Sequence, residues 1–287
     1  ACTDDAAPTA EELVAAGIPV YRDALPCLRC FAWWMWWTRM SDRGMRERDY
    51  LDWNATTPLR AEARAAMIAA MEVVGNPSSV HAEGRAAKNL IETARAQVAA
   101  ALGAEGADIV FTSGATEAAS LALEGRGIAC AEIEHEAVSA WCDPSLAVDH
   151  MGRVTLNDPT RSVLQLANSE TGVMQDLPEG LWFSDLTQAF GKVPFSFNWL
   201  GVTCGAVSAH KLGGPKGIGA LVLRRGLDIA SQLKGGGQEM GRRAGTENII
   251  GIAGFAAAAQ AAAQDLALRG ARRVVVTASG RPMRAAK

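Results

Sequence analysis

Lys211 sits in the stretch VTCGAVSAHKLGGPKGIGALVL, residues 202–223, where a β-branched run at 202–208 ends in His210-Lys211 and a glycine-rich turn. A lysine fixed at a strand end, beside a histidine and under small residues, is placed for a Schiff base with an aldehyde, because partial burial favours its neutral amine. Ser208 and His210 stand ready as phosphate partners. A second segment, DIVFTSGATEAASLAL, ends a strand at Phe111 and opens a helix through Thr112 to Glu117. Small residues there leave the backbone N–H groups near Ala115 and Thr116 free to face an anion, and the helix dipole adds partial positive charge. The same residues also read as an ordinary N-cap with a capping box.

Three further segments complete the set. LWFSDLTQAFGK brings Asp185 to the end of a short apolar strand, with Gln188 three residues on. A buried carboxylate needs a cationic or proton-donating partner to offset its desolvation. A protonated pyridine nitrogen is one such partner, and a helix cap is the other reading. CAEIEHEAV places His135 where an imidazole can stack on an aromatic ring, and LQLANSETGVMQD ends a strand at Asn168, whose amide suits a phenolic oxygen. Phosphate cup, ring stack, oxygen partner, nitrogen carboxylate and lysine are the parts that a pyridoxal-phosphate site requires.

The elements that must hold these residues follow from periodicity. Alanine-rich helical patterns at 59–73, 83–102 and 249–268 alternate with β-branched runs at 108–111, 162–167, 202–208 and 218–223. That alternation predicts an α/β fold, a mostly parallel sheet flanked by helices, with the working residues in loops at the carboxyl ends of strands. Residues 1–48 carry four tryptophans in one cluster, Trp33, Trp34, Trp36 and Trp37, and no sustained period. They read as an N-terminal extension rather than a domain.

Composition narrows the function. With 28 Lys+Arg against 31 Asp+Glu the net charge is -3, which lacks the basic footprint of a nucleic-acid or acidic-membrane partner. The aromatic run FAWWMWW falls short of the ~20 apolar residues of a membrane span, so no membrane is expected. Six scattered cysteines make no disulfide framework, and a lone Cys27-x-x-Cys30 without a second pair makes no metal site. The expected location is the cytoplasm.

YLDWNATTPL, GNPSSVHAEGR, FTSGATEA, EHEAV, ANSETGVMQD, SDLTQAFGKVP, SAHKLGGPKGIGAL and GGGQEMGRRAGTEN, in this order over about residues 49–268, resemble the cysteine desulfurases of the NifS/IscS type. These are class V aminotransferases of the fold-type I pyridoxal-phosphate enzymes. The resemblance implies that Lys211 bonds the cofactor covalently and acts as general base, that Asp185 pairs with the pyridinium nitrogen, and that His135 stacks on the ring. It assigns the phosphate to Ala115, Thr116, Ser208 and His210, and the ring-oxygen side to Asn168 and Gln188. It makes Thr246 a contact to the phosphate of a neighbouring subunit, hence a homodimer. The implied reaction takes L-cysteine to L-alanine and passes the sulfur as a persulfide towards an iron–sulfur scaffold or another acceptor protein.

Two departures from the family shape the expectation. No cysteine follows Cys204, and residues 269–287, ending at Lys287, match nothing in the family, so the small domain is expected to be truncated and its acceptor cysteine and carboxylate-binding arginine missing. Another lyase or transaminase activity on the same fold, or a non-catalytic pseudoenzyme, are the alternatives. The short connections at 124–128 and 176–181 predict a sheet with missing layers, since a parallel return takes a dozen or more residues.

Overall fold

The computed structural model describes residues 50–269 of the chain. It divides into a unit Ala1–Leu51 and a unit Asp52–Lys287, and the description concerns the second. The N-terminal extension with its tryptophan cluster, Cys27 and Cys30, and the tail beyond residue 269 lie outside the described residues.

Strands β1 (Asp108–Thr112), β4 (Phe183–Asp185), β5 (Cys204–Ser208) and β6 (Gly219–Leu223) form a sheet in the order β1-β6-β5-β4. β2 (Ala129–Ala131) and β3 (Asp143–Leu146) form a parallel pair. The segment expected as a strand at 162–167 is extended and buried, but it joins the others only through single parallel bridges, Ser162 to Ala129 and Val163 to Phe183. Backbone bonds from Val163 N to Ala129 O (2.9 Å) and from Leu166 N to Asp185 O (3.0 Å) close both seams. Every segment of this continuous sheet runs one way except β6, which is antiparallel to β1 and β5. The reason is the connection: residues 209–218 are too few for a crossover, so the chain must turn straight back.

The sheet is therefore not interrupted where the short connections predicted gaps. The crossover that includes 124–128 keeps a helix, Ala115–Leu123, whereas the one at 176–181 lacks helical cover: among the described residues no α-helix lies between Ser139 and Ile249, and the crossovers there are loops and single 3-10 turns.

Helices pack on the other face. α2 (Ala82–Leu102) buries Ala87, Ile91, Ala94, Val98 and Leu102, a three-and-four spacing that makes one apolar stripe. It starts where the His81 ring accepts a bond from Gly84 N, and it stops at Gly103, whose φ of 60° is the left-handed cap that glycine adopts without strain. α5 (Ile249–Arg269) is long and apolar enough to cross a membrane. Its character has another cause here: it packs on α1 (Ala61–Met71) and α2, burying Ile252, Phe255, Ala256, Ala258, Ala259 and Ala262. Phe255 meets Phe111 and Phe190 edge to face, each at 6.4 Å between centroids.

Ion pairs rivet the GGGQEMGRR segment to α2 through Glu239, to Asp108 of β1 through Arg242 and to α3 (Ala115–Leu123) through Arg243. Glu239, with a side chain 1% exposed, accepts Arg95 Nη1 at 2.7 Å, Arg95 Nη2 at 2.9 Å and Phe111 N at 2.8 Å. Arg243 Nε reaches Glu117 Oε1 at 2.8 Å, while Glu117 Oε2 accepts Ser113 N at 2.7 Å. Glu239 and Met240 hold φ values of 49° and 58°, left-handed for residues with a side chain. Such strain costs on the order of 1–3 kcal/mol per residue and persists only where surrounding bonds exceed it. The three-point bond at Glu239 is what exceeds it.

Two stability outcomes follow, both measured by urea unfolding. Glu239→Ala removes the buried carboxylate from Arg95, which keeps Glu92 and the Ile109 carbonyl, and leaves Phe111 N without its acceptor; it is expected to lose about 1–3 kcal/mol. At Gly219 an added Cβ would lie 2.5 Å from Val207 O and 2.8 Å from Gly114 Cα, both backbone atoms that cannot swing aside. Gly219→Ala is expected to cost about 1–3 kcal/mol, the usual penalty of overpacking, whereas at Gly217, where nothing lies within 4 Å but φ is 76°, only backbone strain opposes the change.

Candidate functional site

One cavity of about 380 Å³ opens at the carboxyl ends of the parallel segments. β6 runs the other way, so its entering turn, with Lys216 and Gly217, lies at the same edge. Eight of the ten expected site residues line this cavity: Ala115, Thr116, His135, Asp185, Gln188, Ser208, His210 and Lys211.

The anion cup is built from backbone. α3 begins at Ala115 behind an N-cap glycine, Gly114, that brings no side-chain acceptor to its first turn. Ala115 and Thr116 therefore present helix-terminal N–H groups to the cavity, the arrangement that holds phosphates elsewhere. Glu117 Oε2 also accepts Ser113 N, the carboxylate half of the capping reading, while no side-chain acceptor at Gly114 occupies the first-turn N–H groups.

Lys211 closes the other side. Its Nζ donates to the Asn54 carbonyl at 2.9 Å, and Gln188 Nε2 donates to the same oxygen at 3.1 Å. Burial pushes the Lys211 ammonium down from the ordinary lysine range, against Asp185, Asp52 and Glu170, which pull it up. Lys192 donates to Gln188 Oε1 and is pushed down to about 8, first by burial and then by Lys211. His210 is lowered by burial and then by Lys211, Lys216 and Lys192. Two amines and an imidazole that each resist protonation fit an anionic group placed among them.

A strap before α1 holds the lysine turn in place. Thr57 N donates to His210 O at 2.9 Å, Thr57 Oγ1 to Lys211 O at 2.8 Å, and Arg60 Nε to Leu212 O at 2.9 Å. Thr56 Oγ1 lies 3.1 Å from His210 Nδ1. The NATTP motif thus serves the site, a role that periodicity had no means to show.

On the opposite wall His135 caps the short helix α4 (Glu136–Ser139), its Nδ1 accepting Ala137 N at 3.1 Å. That bond leaves Nε2 as the proton-bearing nitrogen of the neutral ring. Asp185 ends β4, and its Oδ1 accepts Thr187 N at 2.8 Å. Ala206, the register partner of Asp185, lines the cavity beside it.

Two expected residues do not line this cavity. Asn168 does not line the cavity: its Nδ2 donates to Ile133 O at 3.0 Å, and its Oδ1 accepts Glu170 N and Thr171 N at 2.9 and 2.8 Å. The cause is the tight turn at 167–174, which needs an Asx acceptor at its first corner. Thr246 is exposed and outside the cavity of its own chain. Sequence reading also passed over Gln165 and Thr187, which do line the cavity. Thr187 Oγ1 is buried with no partner, and its only signal was its place two residues past Asp185.

The lining suits pyridoxal phosphate: a helix-terminal amide cup with Ser208 and His210, an amine of lowered pKa, a strand-end carboxylate for the ring nitrogen, and an orphaned Thr187 hydroxyl. No cluster able to hold a metal ion occurs among the described residues.

Comparison with known proteins agrees. The family model for aminotransferase class V matches residues 49–273. The cysteine desulfurase IscS of Dictyoglomus turgidum is 36% identical over 256 residues, covering 76% of this chain and 64% of that protein. The chain thus spans under two thirds of that relative's length. The X-ray structure of a NifS-like protein from Rickettsia africae superposes with a TM-score of 0.71 at 33% identity, covering 77% of this chain and 71% of the other. The structure of SspA in complex with cysteine superposes with a TM-score of 0.68 at 28% identity, covering 74% and 72%. The chain therefore belongs to the class V aminotransferases, fold-type I enzymes dependent on pyridoxal phosphate, in their NifS-like cysteine desulfurase group.

Proposed function

We propose that this chain acts on L-cysteine, releasing L-alanine and handing the sulfur to a thiol acceptor for iron–sulfur cluster assembly. The observation that carries the reading is the lysine of lowered pKa at the mouth of a cavity that also holds Asp185, His135 and an amide cup. Bound cofactor supplies an electron sink for the Cα carbanion. The chain's own residues do the rest. The N–H groups of Ala115 and Thr116, with Ser208 and His210, bind the phosphate, and His135 packs on the ring. Asp185 holds a proton at the pyridine nitrogen. Lys211, as a free amine, takes the Cα proton of the substrate. Gln188 and Thr187 face the ring oxygen, and in a homodimer Thr246 reaches the neighbour's phosphate. A cytoplasmic setting suits the free thiols of Cys130, Cys142 and Cys204.

The sulfur acceptor in this reading is none of those three. Burial pushes Cys130 up to about 11 and Cys142 up to about 12, and raises Cys204 further still. A thiol held protonated is a poor nucleophile. This observation favours a second reading, a lyase or transaminase reaction on the same site that needs no acceptor cysteine.

Borohydride reduction of the full chain loaded with pyridoxal phosphate, followed by peptide mapping, tests the assignment. The cofactor mass is expected on the Lys211 peptide and absent from Lys211→Ala. Labelling of Lys192 or Lys216 instead contradicts it. Alanine formed from L-cysteine with added dithiol separates the first reading from the second.

A further inference from the structure

Glu134 precedes His135, and its carboxyl is buried behind the site rather than in its lining. Oε1 accepts Gln165 N at 2.9 Å, and Oε2 is buried with no partner. The same turn is held twice more, by Gln165 Nε2 and Asn168 Nδ2, which donate to Ile133 O at 2.7 and 3.0 Å. The Glu134 carboxyl thus joins the turn that carries His135 to the segment that carries Gln165, both of which line the cavity. The titratable groups facing it are Asp185 from β4, Cys130 from β2 and Cys142 from the approach to β3. None of them is a cation.

We propose that Glu134 is a positioning residue that works as a neutral acid, clamping the His135 turn to the Gln165 segment while leaving Asp185 without a second negative charge behind it. An ionised carboxylate with one oxygen unsolvated and no cation facing it is the costlier form. A second anion there would also compete with the ring nitrogen for the proton that Asp185 keeps in place. Burial, opposed by the Gln165 N–H and helped by Asp185, pushes the Glu134 carboxyl up to about 8. The cofactor half of this inference rests on the proposed function, and the protonation half does not.

The sign of the pH effect is fixed by linkage. The folded form keeps a proton that the unfolded chain releases near the ordinary value of 4.5. The stabilisation from Glu134 is therefore full at low pH and lost as pH rises towards about 8. In that window each pH unit is expected to raise the unfolding constant of the cofactor-free wild type about tenfold relative to Glu134→Gln. Urea unfolding of both full chains at several pH values reads this directly, and parallel curves overturn the proposal. If Glu134→Gln does not fold, carbon NMR of the wild type labelled at the glutamate carboxyls decides: one resonance titrating near 8 supports a neutral Glu134, and all of them titrating below 6 overturn it.

A second arm uses added pyridoxal phosphate. Glu134→Gln, which keeps the acceptor for Gln165 N, is expected to bind within about twofold of wild type, and Glu134→Ala about tenfold more weakly. Equal binding by all three overturns the clamp. Failure of the wild type itself to bind pyridoxal phosphate would refute the proposed function and leave the pH comparison in the cofactor-free protein standing as its own test.

Discussion

The close approach of three stretches of backbone at Gly219 sets the geometry of the site. Gly219 begins β6 wedged between Val207 of β5 and Gly114 of the turn after β1, with room for no Cβ. Because β6 lies between β1 and β5, this contact brings the amide cup at Ala115 and Thr116 within one cavity of Ser208, His210 and Lys211. The glycine-rich turn before it allows a direct return, and that return is why one strand of an otherwise parallel sheet is reversed.

Around this frame the electrostatics divide by side. Lys211 and His210 line one wall with Lys192 beside it; burial lowers the proton affinity of all three, and Lys211 lowers that of Lys192 and His210 further, an effect that an anion at the cup would relieve. Carboxyl groups occupy the other wall, where Asp185 faces the cavity and Glu134 lies behind it. The strap through Thr56, Thr57 and Arg60 holds the lysine turn, and the rivets at Glu239 and Arg243 hold β1 and the start of α3, using bonds from segments far away in sequence. Placement of this kind is what an orienting site needs, since small displacements of reacting groups cost large factors in rate.

The sequence disclosed the helices through spacing, because Ile91, Ala94, Val98 and Leu102 repeat on one face whatever surrounds them. Lys211 and Asp185 were marked by their places at strand ends, and His135 by the short apolar stretch before it. Reversal of β6 was hidden, since a fully buried apolar run such as GALVL reads the same in either direction. The segment 162–167 read as a full strand, yet its ladder is reduced to single bridges where the chain turns at Asn168. Asn168 bonds its own turn, a use that an asparagine at a strand end serves as readily as a ligand contact, so the sequence left both readings open. Glu134 and Thr187 gave no periodic signal; only burial in three dimensions marks them.

The central claim is that one cavity binds a phosphorylated pyridine aldehyde with its phosphate at the N-terminus of α3 and its aldehyde carbon at Lys211. A crystal structure of the full chain grown with pyridoxal phosphate tests it most directly. The account predicts density continuous with Lys211 Nζ, phosphate oxygens on the N–H groups of Ala115 and Thr116, and the ring nitrogen against Asp185. A phosphate bound elsewhere, or a ring nitrogen turned away from Asp185, would contradict it.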